Sequence, residues 1–273
     1  MREQLRSDDE SMSGEPQVTI EMRVPGPWVS PEQLAAALVD RKTGYELGDG
    51  MLIDTLTSEQ FEIAVTEHDD DLGPIFRGGH QGRMTDEELL AVGAHAVKVH
   101  VIGPGGSEKS AKRIVDATAA LVRAGGYGVF VDNSGNCHGP EDFLKLADDP
   151  QDGGVFWTFV ATTRSGENVV FSTGLHCLGF RDVDMHDPPG DERENWLAIN
   201  EFLGYMTRSG REIHDGDHAG GAPPGMGLPH YVINAAPCTR YPEGTAFFNP
   251  FGIWVMRRAG PITTEDGSLD LNF

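Results

Sequence analysis

The chain has 273 residues, enough to bury a sizeable core, and carries 43 Asp and Glu against 21 Lys and Arg for a formal charge of -22. That charge repels the phosphate backbone of nucleic acids and anionic membrane surfaces, so neither is expected as a partner. Three cysteines, Cys137, Cys177 and Cys238, are too few for a disulfide framework and read as free thiols in a reducing compartment.

Residues 1–15 are rich in Ser, Asp and Glu, lack an apolar run, and are expected to form a disordered leader. No stretch approaches the roughly 18 apolar residues of a membrane span, so the protein is expected in the cytoplasm. Residues 17–24 alternate apolar and polar as a half-buried strand does, until Pro25, Gly26 and Pro27 break the pattern. Ser30 with Pro31 and Glu32 opens a helix whose apolar face is Leu34, Ala35, Leu38 and Val39, ending near Gly44. Residues 51–54 and 61–65 read as short strands, and Thr85 with Glu88 forms a capping box ahead of Leu89, Leu90 and Val92. Residues 95–102 alternate again, with Val97, Val99 and Val101 on one side and His95, Lys98 and His100 mostly on the other.

The resulting β-α-β-β-α-β order predicts an α+β protein whose first half, residues 16–102, is a ferredoxin-like split β-α-β unit. The second half, residues 103–260, reads as a looser α+β copy packed with the first as one unit. It has a helix over 107–124, a strand over 127–131, a short helix after Gly139 and Pro140, and paired strands over 155–163 and 168–173 around Gly166. A helix over 196–206 follows, then a long Gly- and Pro-rich loop over 210–250, a last strand over 251–256 and a mobile tail over 261–273.

Three segments carry a resemblance: His95-Ala96-Val97-Lys98-Val99, Tyr127-Gly128-Val129-Phe130-Val131, and Phe171-Ser172-Thr173-Gly174-Leu175-His176-Cys177-Leu178-Gly179-Phe180 followed by Asp182-Val183-Asp184. Together they resemble the bacterial domain-of-unknown-function family 4261 over about a third of the chain, chiefly its middle. The resemblance implies a bacterial α+β protein without an established activity and brings no catalytic residue with it.

Four stretches hold residues that could do chemistry. Gly103 to Ser110 lies where a phosphate-binding loop would, but Glu108 stands at a required glycine, and the plainer reading is a Gly-Pro turn capped by Ser107. Cys137 follows a strand and precedes a helix, a place for a nucleophile, with His176 as its base. Cys137, His138, His176 and Cys177 are also a ligand set that zinc accepts, although neighbours on an extended chain point apart. His214, Asp215, Asp217 and His218, with His230 further on, are the densest collection of ligands for a divalent metal such as zinc. No organic cofactor is indicated. Phe156, Trp157 and Phe159, with Phe247, Phe248, Phe251 and Trp254, read as core aromatics or as an interface for a homo-oligomer.

The expectation is a non-catalytic binding or regulatory protein whose acidic surface meets a basic protein partner or a second copy. The alternative is a small hydrolase or transferase built on Cys137 and His176, or on a metal held by the His214 to His218 loop.

Overall fold

The structure, a computed structural model, describes residues 16–151, 153–166, 168–188, 191–220 and 230–259. The expected leader, the expected tail and part of the Gly- and Pro-rich stretch, 221–229, lie outside the described residues.

β1 (Thr19–Gly26) buries Ile20, Met22 and Val24 and turns Glu21 and Arg23 outward, the alternation its sequence has. α1 (Pro31–Asp40) follows, capped by the Ser30 side chain, which accepts from the Gln33 N–H. β2 (Tyr45–Gly48) and β3 (Met51–Asp54) form a hairpin through Asp49 and Gly50, both at positive φ. The Asp-Gly pair is the sequence signal of that turn, and β2 went unexpected. β4 (Gln60–Glu67) leads to α2 (Leu72–Gly79), a helix that its own glycines hide. Those glycines allow close approach. A Cβ on Gly73 would lie 3.4 Å from the Gly93 Cα, and one on Gly79 would lie 2.7 Å from the Cys137 Sγ.

α3 (Asp86–Gly93) carries the full Thr85–Glu88 capping box, β5 (Val97–Pro104) buries Val99 and Val101, and α4 (Glu108–Arg123) starts at the Ser107 cap. β6 (Val129–Val131) and β7 (Cys137–His138) complete a seven-stranded, wholly antiparallel sheet in the order β2-β3-β4-β5-β1-β6-β7. The α+β class is as expected, but the ferredoxin-like arrangement is realised only in part. β1 and β5 pair antiparallel as that unit requires, whereas β4 lies beyond β5 and the other edge of β1 is taken by β6. The first sheet therefore runs past residue 102 and draws on both expected halves.

α5 (Pro140–Ala147) is followed by α6 (Gly153–Phe159), where a strand was expected. The run Val155, Phe156, Trp157 and Phe159 suits either period; Asp149 settles it by accepting the Gly154 N–H at 2.9 Å, which starts a helical turn that buries Val155, Thr158 and Phe159. β8 (Ala161–Ser165) and β9 (Val169–Thr173) pair as expected around Gly166. A single 3₁₀ turn, Leu175–Leu178, leads to β10 (Asp182–His186) and α7 (Glu192–Arg208). Two strands occupy the expected long loop: β11 (His218–Ala219) and β12 (Tyr231–Ala236). With β13 (Ile253–Arg258) they form a six-stranded sheet in the order β11-β12-β13-β10-β9-β8, whose one parallel pair joins β10 to β13.

α4 is the hinge pin between the sheets. It buries residues all round, packs on β1 and β5 on one side and on α6 and the 3₁₀ turn on the other, and lies in one continuous apolar core with residues of both sheets. α7 covers β9 and β10 through Ile199, Phe202, Leu203 and Met206. The α2–α3 pair makes a separate small cluster on the outer side of β6 and β7, built on Leu72, Phe76, Phe130 and Cys137. Among the described residues, no helix is long and apolar enough to cross a membrane.

Candidate functional site

The outward positions of β1, β4 and β5 bring together a set of chemical groups that sequence reading missed. Glu21, Arg23, Thr66 and His100 share the sheet face opposite α4, and Asp132 joins them as the chain leaves β6. His100 sits in the middle. Its Nδ1 is 2.6 Å from the Glu21 Oε1 and its Nε2 is 3.1 Å from the Thr66 Oγ1, so hydroxyl, imidazole and carboxylate form a continuous chain across three strands. The His100 hydrogen bond holds the Glu21 carboxyl below the ordinary carboxylate range, against the opposing effect of burial.

Asp132 is the other carboxylate of the set and behaves in the opposite way. It pairs with Arg23, whose guanidinium also lies 5.6 Å from the centre of the Phe130 ring. Burial nevertheless pushes the Asp132 carboxyl up to about 6, and its Oδ2 has no hydrogen-bond partner. Two carboxylates sharing Arg23 are thus driven apart in acidity, Glu21 down by the His100 hydrogen bond and Asp132 up by burial. The sequence signal was faint: strands that alternate cleanly but place Glu, Arg and His on the solvent side. Which of these would meet depends on register, which no single strand encodes.

The residues expected as a nucleophile and its base lie in different places. Cys137 is fully buried in the α2–α3 cluster, its nearest acceptors are the Ile75 and Gly135 carbonyls at 3.8 and 3.9 Å, and burial pushes its thiol up to about 12. His176 lies in the 3₁₀ turn, with Nε2 at 3.2 Å from the Asn133 Nδ2 and Nδ1 at 4.0 Å from the Asp182 Oδ2. No contact joins the two among the described residues. Cys177 is buried as well, and burial raises its thiol. His138 faces Asp142 at 2.9 Å and the Thr158 carbonyl at 3.2 Å, and burial pulls its imidazole down.

The surroundings of His176 are a structural joint. Gly174 and Gly179 bracket its turn with φ of +93° and +88°, and a Cβ on either would come within 2.1 Å of the Phe159 carbonyl oxygen or 2.5 Å of the Gly106 one. Asp182 closes the turn by accepting from the Leu175 N–H at 3.2 Å, the Ser172 hydroxyl at 3.3 Å and the Asn249 amide at 2.7 Å. The Gly106 N–H donates to the Cys177 carbonyl at 3.0 Å and the Gly105 N–H to the Val18 carbonyl at 2.9 Å. Both amides of the loop expected to cradle phosphate are therefore engaged, Gly105 within the first sheet and Gly106 with the 3₁₀ turn ahead of β10.

The metal-ligand candidates are engaged within their own loop. Asp215 accepts from the Ala235 N–H at 2.7 Å and anchors the loop to β12, while Asp217 accepts from the His214 N–H at 2.8 Å. His218 pairs with His230 at 2.6 Å, ring stacked on ring, and His214 is exposed. Among the described residues, no three His, Cys, Asp or Glu side chains gather in a group that could hold a metal ion.

A cleft lies beside the second sheet. Arg181 stands between two cavities of ≈ 350 Å³ and ≈ 580 Å³, the larger walled by Phe180, Ile213, Phe251 and Trp254 and edged by Arg211 and Glu212. No family model, no curated protein and no solved structure matches the chain.

Proposed function

We propose that the chain is a cytoplasmic, non-catalytic binding or regulatory protein that meets a basic protein partner through an acidic edge, and that the family its middle segments resemble is domain-of-unknown-function family 4261. The observation that carries the binding reading is the edge where β4 runs into α2. Glu67, Asp70 and Asp71 are exposed there within five residues of one another, without a Lys or Arg partner among the described residues. Carboxylates gathered at one place without a Lys or Arg partner raise the local negative potential and steer a cationic partner.

The test compares two variants of equal net charge: Glu67→Lys with Asp70→Lys, and Glu194→Lys with Glu201→Lys on α7. A Lys- and Arg-rich peptide titrated against each should lose at least tenfold in affinity with the first pair and little with the second. Equal losses would reduce the binding to overall charge and end the proposal.

The alternative, a small hydrolase or transferase, draws support from the Thr66–His100–Glu21 chain rather than from Cys137, which is protonated and lacks a base. On this reading His100 takes the Thr66 proton. Turnover of an activated ester that survives His100→Gln unchanged would remove it.

A further inference from the structure

We infer that the cleft beside Arg181 is a binding site for a small organic monocarboxylate with an apolar body. It stands apart from the acidic-edge reading, since it concerns another sheet and ligands of the opposite charge.

Arg181 is an arginine without an acid among the described residues. Acidic residues outnumber basic ones by about two to one in this chain, and Arg23, Arg113 and Arg240 use that supply, pairing with Asp132, Glu59 and Asp184, while Arg83, which has no acid among the described residues, donates instead to the His80 and Cys137 carbonyls and the Asn136 side chain. Arg181 is half-buried and has no hydrogen bond or ion pair among the described residues. Its neighbour in sequence, Asp182, is turned inward to the Leu175 N–H and the Asn249 amide, so the nearest acid along the chain is spent elsewhere.

The guanidinium is held in place by other means. It stacks 4.9 Å from the centre of the Trp254 ring, and it passes so close to Gly252 that a Cβ there would lie 2.7 Å from its Nη1. A planar cation, ordered by an aromatic face and left with open donors, is suited to the two oxygens of a carboxylate.

The cavity around it selects the rest of the ligand. At ≈ 580 Å³ it matches the size of small-molecule sites, and Phe180, Ile213, Phe251 and Trp254 give it apolar walls. Arg211 and Glu212 at its edge offset each other, leaving Arg181 as the net charge. One net positive charge with apolar walls favours a monoanion with a hydrocarbon or aromatic body over a phosphate dianion, whose second charge would go unmatched.

The experiment is isothermal titration calorimetry of the full chain with octanoate, n-octanol and inorganic phosphate, on the unaltered protein and on Arg181→Gln and Ile213→Trp. Octanoate is expected to bind at one site, with at least a tenfold loss in Arg181→Gln from the missing charge and a similar loss in Ile213→Trp from the filled cleft. Octanol and phosphate are expected to bind at least tenfold more weakly than octanoate. The proposal is overturned by absence of saturable octanoate binding, by octanol or phosphate binding as tightly, or by Arg181→Gln binding like the unaltered chain. Should Arg181→Gln lose its native circular dichroism, Ile213→Trp decides, and full octanoate affinity in that variant overturns the assignment.

Discussion

The two sheets are built by different means. The first is wholly antiparallel, and its outer strands β2, β3 and β4 follow one another along the chain through short turns. The second depends on β10 pairing in parallel with β13, which brings residue 182 beside residue 253. Parallel pairing cannot be made by a tight turn, so this sheet must be held by contacts distant in sequence. The 3₁₀ turn before β10 provides them, with Asp182 and Asn249 tying the two strands at their starts. A hairpin such as β2–β3 tolerates a change in its turn, whereas a pairing anchored through the buried Asp182–Asn249 contact does not.

Gly174→Ala tests this most severely. A side chain at φ +93° would collide with the Phe159 carbonyl at 2.1 Å, so a loss of roughly 5 kcal/mol is expected by urea denaturation. Gly166→Ala is the control, because φ is +62° but nothing lies within 4 Å; only roughly 1 to 2 kcal/mol should go with it. Similar losses at the two glycines would erase the distinction between joint and hairpin.

Asp182→Ala comes next. It leaves the Leu175 N–H and the Asn249 amide without their acceptor inside the core, with an expected cost of about 3 to 4 kcal/mol. Hydrogen exchange should show β10 and β13 losing protection before β2 to β4; uniform loss across both sheets would contradict the separate dependence drawn above.

In the first sheet the sharper test is pH. The folded pKa of Asp132, about 6, lies above the unfolded value near 4, so the folded state holds this proton longer. Its contribution therefore falls as pH rises from about 4 to about 6 and stays low above, by up to about 3 kcal/mol. Asp132→Asn should gain stability relative to the unaltered chain across that window. A constant difference in Tm between pH 4 and 7 would mean that burial does not govern this carboxyl.

The smallest effect belongs to Thr85→Ala. It removes the Thr85 hydroxyl that accepts the Glu88 N–H at 3.2 Å, while the Thr85 N–H keeps its bond to Glu88 at 2.7 Å, a loss of about 1 kcal/mol. The α2–α3 cluster should loosen first, seen as faster exchange at Phe76 and Leu89; unchanged exchange there would argue that packing on Phe130 alone holds the pair.

Much of the first sheet could be read directly. The alternation over β1 and β5, the Ser30 cap and the Thr85 box all appear where local patterning places them. α2 could not, because Gly73 and Gly79 lower helix propensity and their use becomes visible only against Gly93 and Cys137. The aromatic run of α6 has no clear period and fits a strand as well as a helix, and β12 lies in a stretch so full of glycine and proline that its alternation does not show. The site was less legible than the fold. Cys137, His176 and the His214 to His218 loop stood out as residue types, yet neither a type nor a spacing says whether two side chains converge. The Thr66–His100–Glu21 chain draws one residue from each of three strands, so it exists only through register.

By itself the sequence determined the elements whose pattern is local: alternation, caps and the α+β class, all set by hydrogen bonding and burial within a few residues. The tertiary structure decided which strands are neighbours, which carboxylates share Arg23, and that Arg181 has no acid beside it among the described residues. Those outcomes depend on distances between residues tens to a hundred positions apart, where side-chain charge and desolvation act through space rather than along the chain.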